Sequence, residues 1–156
     1  MSTPAPYTVE IPLRWSDMDA YAHVNNVQFL RLLEDARVIG LDEWFGDSRL
    51  LDRGVLVLRH EIDYLRPLVF RPAPVAVDMW VTQIGTASFD LGYTIRDPEQ
   101  VGTTCYARAE TTLAAFDIAG GHPRRLSTEE VVVLAGRKHQ PPPMRSRTRR
   151  AEVGTR

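Results

Sequence analysis

The stretch from Arg14 to Gly40 constrains the fold more than any other part of the chain. Its first half, Arg14-Trp15-Ser16-Asp17-Met18-Asp19-Ala20-Tyr21-Ala22-His23-Val24-Asn25-Asn26, is a polar loop holding two carboxylates, one imidazole and two amides. From Val27 to Ile39 the polar residues fall only at Gln28, Arg31, Glu34, Asp35 and Arg37, a narrow stripe at near-helical spacing. That spacing predicts a helix buried on most sides. Gly40 suits the left-handed position just past a helix end, and Leu41 to Gly46 reads as a short turn beyond it. The polar loop then sits at the helix N-terminus, where unpaired backbone N–H groups and the positive end of the dipole favour negative charge. Such an arrangement suits the stabilisation of an oxyanion.

The rest of the chain reads mainly as strands. Residues 7 to 15 alternate apolar and polar, with Pro12 marking an edge or a bulge. Val55 to Tyr64 forms a second strand, stopped by Arg66-Pro67. Val75 to Val81, Phe89 to Ile95 and Thr103 to Phe116 follow, joined through Ile84-Gly85-Thr86-Ala87 and Asp97-Pro98-Glu99-Gln100-Val101-Gly102. Strands that succeed one another through short turns make an antiparallel sheet. Ser127-Thr128-Glu129-Glu130 is a capping box that opens a short helix, Thr128 to Ala135. The expected class is therefore α+β, a five-stranded antiparallel sheet curled around one long central helix.

The chain's 156 residues make one domain's worth, and its 44% hydrophobic and 25% charged residues are ordinary globular values. The net charge of −1 argues against general nucleic-acid binding. Residues 1–136 are read as the domain. Residues 137–156 hold seven Lys or Arg, one acid and Pro141-Pro142-Pro143, and are read as a disordered basic tail. A single cysteine, Cys105, excludes an intrachain disulfide and offers no Cys pair for zinc, so no metal is expected; the alternation around it suggests a small core residue. No apolar run is long enough to span a membrane and no signal peptide is present, which points to a cytoplasmic protein.

The order of elements, together with Asp17-Met18-Asp19, His23-Val24-Asn25-Asn26 and Phe29, resembles the hotdog fold of the 4-hydroxybenzoyl-CoA thioesterase group. Glu61-Ile62-Asp63-Tyr64-Leu65-Arg66-Pro67 resembles the second strand of that family, and the likeness covers roughly residues 7 to 135. The resemblance implies an acyl-CoA or acyl-carrier-protein thioesterase without a cofactor, working as a homodimer or homotetramer with active sites at the subunit interface. It also implies that the acting carboxylate is the one four residues before the histidine, Asp19. Asp17 falls where many members carry an acid. Ala22 departs from the Gly or Gln that members often have, which bears on the shape of the loop.

Thioester hydrolysis needs an activated attacking oxygen and a stabiliser for the carbonyl oxygen as it becomes anionic. Asp19 is the candidate for the first role, as nucleophile or as general base on water. Backbone N–H groups at the helix start, Asn26 first and Val27 second, are candidates for the other. His23 would hold the loop or polarise the thioester. The amides of Asn25 and Asn26 would fix Asp19 or a water. Aspartates ahead of a helix also serve as caps or Asx turns, which leaves a purely structural role open for Asp17 and Asp19. Glu34 and Asp35 fit surface pairs with Arg31 or Arg37. The phosphates of coenzyme A call for exposed arginines; Arg66 and Arg124 are the leading candidates, with Arg59, Arg71, Arg108 and Arg125 behind them. Two other functions fit the same sequence: a hotdog enoyl-CoA hydratase or dehydratase, and a non-catalytic acyl-CoA-binding module using the tail as a partner arm.

Overall fold

Alternation carries the first strand only as far as Pro12. The computed structural model describes residues 5–46 and 54–153, and in it β1 is Tyr7–Ile11, with Tyr7, Val9 and Ile11 turned towards the core. Pro12 cannot donate to the ladder, and the chain next makes a single 3₁₀ turn, Trp15–Asp17. The strand expected to reach Trp15 therefore stops four residues early, and the Trp15 side chain is exposed.

The remaining strands are β2 (Val55–Tyr64), β3 (Val75–Ile84), β4 (Ser88–Arg96), β5 (Cys105–Asp117) and a two-residue β6 (His122–Pro123) that the sequence reading did not include. All pair antiparallel, in the order β1-β3-β4-β5-β2, with β6 on β5. Cys105 opens β5, half-buried.

Helix α1 (Asn26–Phe45) crosses the concave side of this sheet. Phe29, Leu32, Leu33 and Ala36 sink into a core shared with Val77, Met79, Phe89, Leu91 and Leu113. The helix does not end at Gly40. It continues for five more residues, because Gly40 lies where α1 meets the sheet and has no side chain to obstruct the approach. A Cβ there would come within 2.2 Å of the Met79 Cε and 3.1 Å of the Tyr7 ring. Gly46, with φ at +46°, is the residue that terminates the helix. Trp44 and Phe45, expected in a turn, fill the core from its last turn.

The expectation of a helix enclosed on most sides holds for only part of its surface. One sheet covers one side, and Val27, Glu34, Val38 and Ile39 remain exposed. Arg37, expected among the surface charges, is buried instead. Its Nη1 and the hydroxyl of the fully buried Tyr93 have no hydrogen-bond partner among the described residues.

Helix α2 (Thr128–Ala135) opens on the capping box. The Ser127 hydroxyl accepts from the Glu130 N–H at 3.2 Å, and the Ser127 N–H donates back to Glu130 at 2.8 Å.

Beyond α2 the structure departs from the disordered tail that the sequence suggested. Lys138 makes a parallel bridge to Val81, and the Trp80 Nε1 donates to the Gln140 carbonyl at 2.9 Å. Met144 is buried, and α3 (Arg145–Val153) follows. The Arg145 N–H donates to Asp63 at 2.7 Å, the Ser146 hydroxyl donates to Glu61, and Arg147 grips both oxygens of the buried Glu110 at 2.7 and 3.0 Å. Asp63, Glu61 and Glu110 alternate with the inward-facing Ile62 and Ala109, so the tail lies on the face of the sheet opposite α1. Polar anchors have no periodicity, which is why composition alone pointed to disorder.

Candidate active site

The loop ahead of α1 is folded by its own backbone. The Asp19 N–H donates to the His23 carbonyl at 2.8 Å, the Ala22 N–H donates to the Asp19 carbonyl at 3.1 Å, and Met18 bridges Val24. Ala22 takes φ at +59°, left-handed backbone that costs an L residue about 1 kcal/mol or more. The chain thus keeps a glycine-like turn at the position where its residue departs from the family pattern. Two further bonds fix the loop to the body: Val24 N–H to the Leu68 carbonyl at 2.7 Å, and Asn25 N–H to the Asp17 carbonyl at 2.9 Å.

The two aspartates end up in different places. Asp17 is buried, and its carboxylate is fully engaged. It accepts from the Arg14 N–H at 2.8 Å and pairs with the Arg14 and Arg31 guanidiniums at 3.0 and 2.8 Å. Burial alone would push this carboxyl up, but the Arg14 backbone and side-chain bonds and the charge of Arg31 outweigh it and hold Asp17 below the ordinary aspartate value. Asp17 does not line the cavity described next.

Asp19 does. A cavity of about 360 Å³ opens at the N-terminus of α1, walled by Asp19, His23, Asn26, Phe29, Tyr64 and Arg66 among others. Asp19 Oδ1 accepts from the Tyr21 N–H at 2.8 Å, and no other hydrogen bond reaches this carboxylate among the described residues. His23 is exposed on the cavity rim.

The amides at the helix start also divide. Asn25 is the N-cap, and its Oδ1 accepts from the Val27 N–H at 3.0 Å. That bond occupies the second-choice oxyanion donor and assigns the Asn25 side chain to capping. The Asn26 N–H, the first choice, has no acceptor among the described residues and belongs to a residue of the cavity wall. Tyr64, which the sequence reading left without a role, donates from its hydroxyl to the Asn26 carbonyl at 3.1 Å and stacks edge-on to Phe29 with ring centroids 5.3 Å apart. Its place inside Glu61-Ile62-Asp63-Tyr64-Leu65-Arg66-Pro67 was the available signal.

Of the two arginines first proposed for substrate, Arg66 lines the cavity. Arg124 does not; it holds Glu130 through two bonds at 2.8 and 2.9 Å, beside α2. Among the described residues no group of three His, Cys, Asp or Glu could hold a metal ion, and no helix is long and apolar enough to cross a membrane.

The fold that carries this site is shared with solved structures. A thioesterase from Thermus thermophilus, complexed with coenzyme A and zinc, superposes with a TM-score of 0.74 at 25% identity, over 91% of this chain and 100% of that one. The PA2801 protein from Pseudomonas aeruginosa, a candidate thioesterase, gives 0.70 at 30% identity over 83% and 98%. A protein from Bacillus stearothermophilus, predicted to be a thioesterase, gives 0.76 at 22% identity over 88% and 100%, a likeness of fold. No curated protein matches the sequence. The thioesterase-like superfamily matches residues 13–151, from just past β1 into α3. The fold is the curled-sheet, long-helix fold of these thioesterases, and the chain belongs to the thioesterase-like superfamily.

Proposed function

We propose that the protein hydrolyses acyl-CoA thioesters in the cavity at the start of α1. One observation carries this reading: Asp19, whose carboxylate has a single hydrogen bond among the described residues, and Asn26, whose N–H has no acceptor among them, line the same cavity at the positive end of a 20-residue helix. The coenzyme A bound to the Thermus relative supports the choice of thiol carrier.

The thioester carbonyl would lie with its oxygen towards the Asn26 N–H. Asp19 draws a proton from water, the water oxygen adds to the carbonyl carbon, and the negative charge gathers on the oxygen facing the helix end. The C–S bond then breaks, and the leaving thiolate takes the proton that Asp19 had accepted. Alternatively an Asp19 carboxylate oxygen adds directly, the C–S bond breaks to expel the thiolate and leave a mixed anhydride, and water cleaves that anhydride to the free acid and the Asp19 carboxylate, its released proton going to the thiolate. His23, on the rim, polarises or orients the thioester. Asp17 is a positioning residue. Locked by Arg14 and Arg31, it accepts nothing from substrate, and its backbone carbonyl holds Asn25, the cap of the helix.

A second copy of the chain would complete the site. Among the described residues no strand pairs with the outer edge of the ten-residue β2, and Leu58 is 63% exposed along it. Free strand edges pair readily. Val27, Val38 and Ile39 are exposed apolar residues on the open side of α1, and the cavity wall at Tyr64 is the end of β2 itself. Dimer formation would bury all three features together.

The test is release of free thiol across a panel of acyl- and aryl-CoAs. Asp19→Asn is expected to lower kcat by about 10³-fold or more while oligomeric state and melting temperature hold. Wild-type turnover in that variant, on every substrate cleaved, would remove Asp19 from the mechanism.

A further inference from the structure

A second cavity adjoins the first. It holds about 520 Å³ and shares Leu65 and Arg66 with the Asp19 cavity; Arg108, Arg145, Thr103 and Thr104 complete its polar walls. We propose that it binds the phosphate groups of the nucleotide end of acyl-CoA, and that Arg145, from the C-terminal tail, is a specificity residue. This rests on the acyl-CoA reading above and deepens it.

The charge pattern supports an anion. Several arginines are taken up by a carboxylate: Arg59 by Glu61, Arg71 by Asp97, Arg96 by Asp78, Arg124 by Glu130, Arg147 by Glu110. Arg66, Arg108 and Arg145 have no ion pair among the described residues, yet they converge on one cavity. The nearby acid is Asp63, the register partner of Arg108. It accepts the backbone N–H of Arg145 at 2.7 Å and pairs with neither guanidinium. Three guanidiniums without a carboxylate around one space repel one another, and a multivalent anion relieves that repulsion through charge-assisted bonds. A carboxylate product carries one charge. Coenzyme A carries its phosphates at the end remote from the thiol, and this cavity meets the Asp19 cavity only at Leu65 and Arg66, with Arg108 and Arg145 on the sheet face opposite α1.

Arg145 is also held in place. The Asp63 bond fixes its backbone, the Ser146 hydroxyl donates to Glu61 one residue on, and Arg147 grips Glu110 two residues on. Met144, buried on the other side, closes the anchor. The tail thus brings its arginine to the cavity in a set position, which lowers the ordering cost of binding.

Two measurements test this. The first compares one acyl group carried on coenzyme A and on pantetheine. The wild type is expected to prefer the coenzyme A ester by at least about tenfold in kcat/KM. Arg108→Ala and Arg145→Ala should each remove most of that preference through KM, and Arg145→Lys should keep part of it. The second is calorimetric binding of adenosine 3′,5′-bisphosphate, which either alanine variant should weaken about tenfold. If no thioester is cleaved but the bisphosphate binds through Arg108 and Arg145, the hydrolytic reading falls and the anion site stands. If acyl-CoA is cleaved while the bisphosphate does not bind, or while both alanine variants keep the wild-type preference, the anion site is refuted and hydrolysis stands.

Discussion

The Tyr64 hydroxyl donates to the Asn26 carbonyl at 3.1 Å, tying the end of β2 to the first turn of α1. The residue whose N–H faces the proposed oxyanion is thereby held by its own carbonyl. Burial pushes the Tyr64 phenol up, so it stays a donor throughout the neutral range. Tyr64→Phe removes one hydrogen bond and keeps the ring against Phe29. The expected cost is about 1 kcal/mol of stability. In steady-state kinetics kcat should fall several-fold with KM little changed, because the loosened group acts mainly on the transition state.

Asp17 makes a pH prediction. Its folded-state pKa lies below the ordinary aspartate value, so folding stabilises the ionised form. That contribution is present above the unfolded-state pKa and is lost as pH falls through the folded-state pKa. Chemical denaturation at a series of acid pH values should show the wild type losing stability over that window, and Asp17→Asn losing less. At neutral pH the variant should be less stable by about 1–2 kcal/mol, discounted because the Arg14 side chain is more than half exposed. If Asp17 only positions the loop, the variant keeps kcat within about tenfold of wild type, whereas Asp19→Asn does not.

Gly40 predicts a packing defect where helix propensity alone predicts a gain. A β-branched side chain at this position meets Met79, which is fully buried, and the Tyr7 ring. Gly40→Val is expected to cost about 2–3 kcal/mol, well beyond the roughly 0.3 kcal/mol that replacing a helical glycine by valine returns. A thermal melt checks the sign. A stabilised variant would mean that α1 sits farther from β3 than the structure has it.

These positions show how the sequence and the tertiary structure divide the information. The start of α1, the Ser127–Glu130 capping box and most of the strands were legible because each depends on residues a few positions apart: a cap and its N–H, a polar stripe, an alternation. The polar loop at the helix start was legible in the same way, and with it the position of Asp19. Other outcomes depended on groups far away in the chain. The sequence offered two aspartates two residues apart; Arg31, a turn and a half into the helix, claimed Asp17, and Leu68 and Tyr64 brought the second strand's end over Asp19. Gly40 looked like a stop signal until Met79 and Tyr7 made it a point of contact. The basic tail looked solvated because its anchors, Asp63, Glu61 and Glu110, are polar and lie 37 to 85 residues away. Hydrophobic periodicity reports which side of an element is buried. It carries no record of which distant charge will meet which, since that pairing exists only after the sheet has brought the strands together.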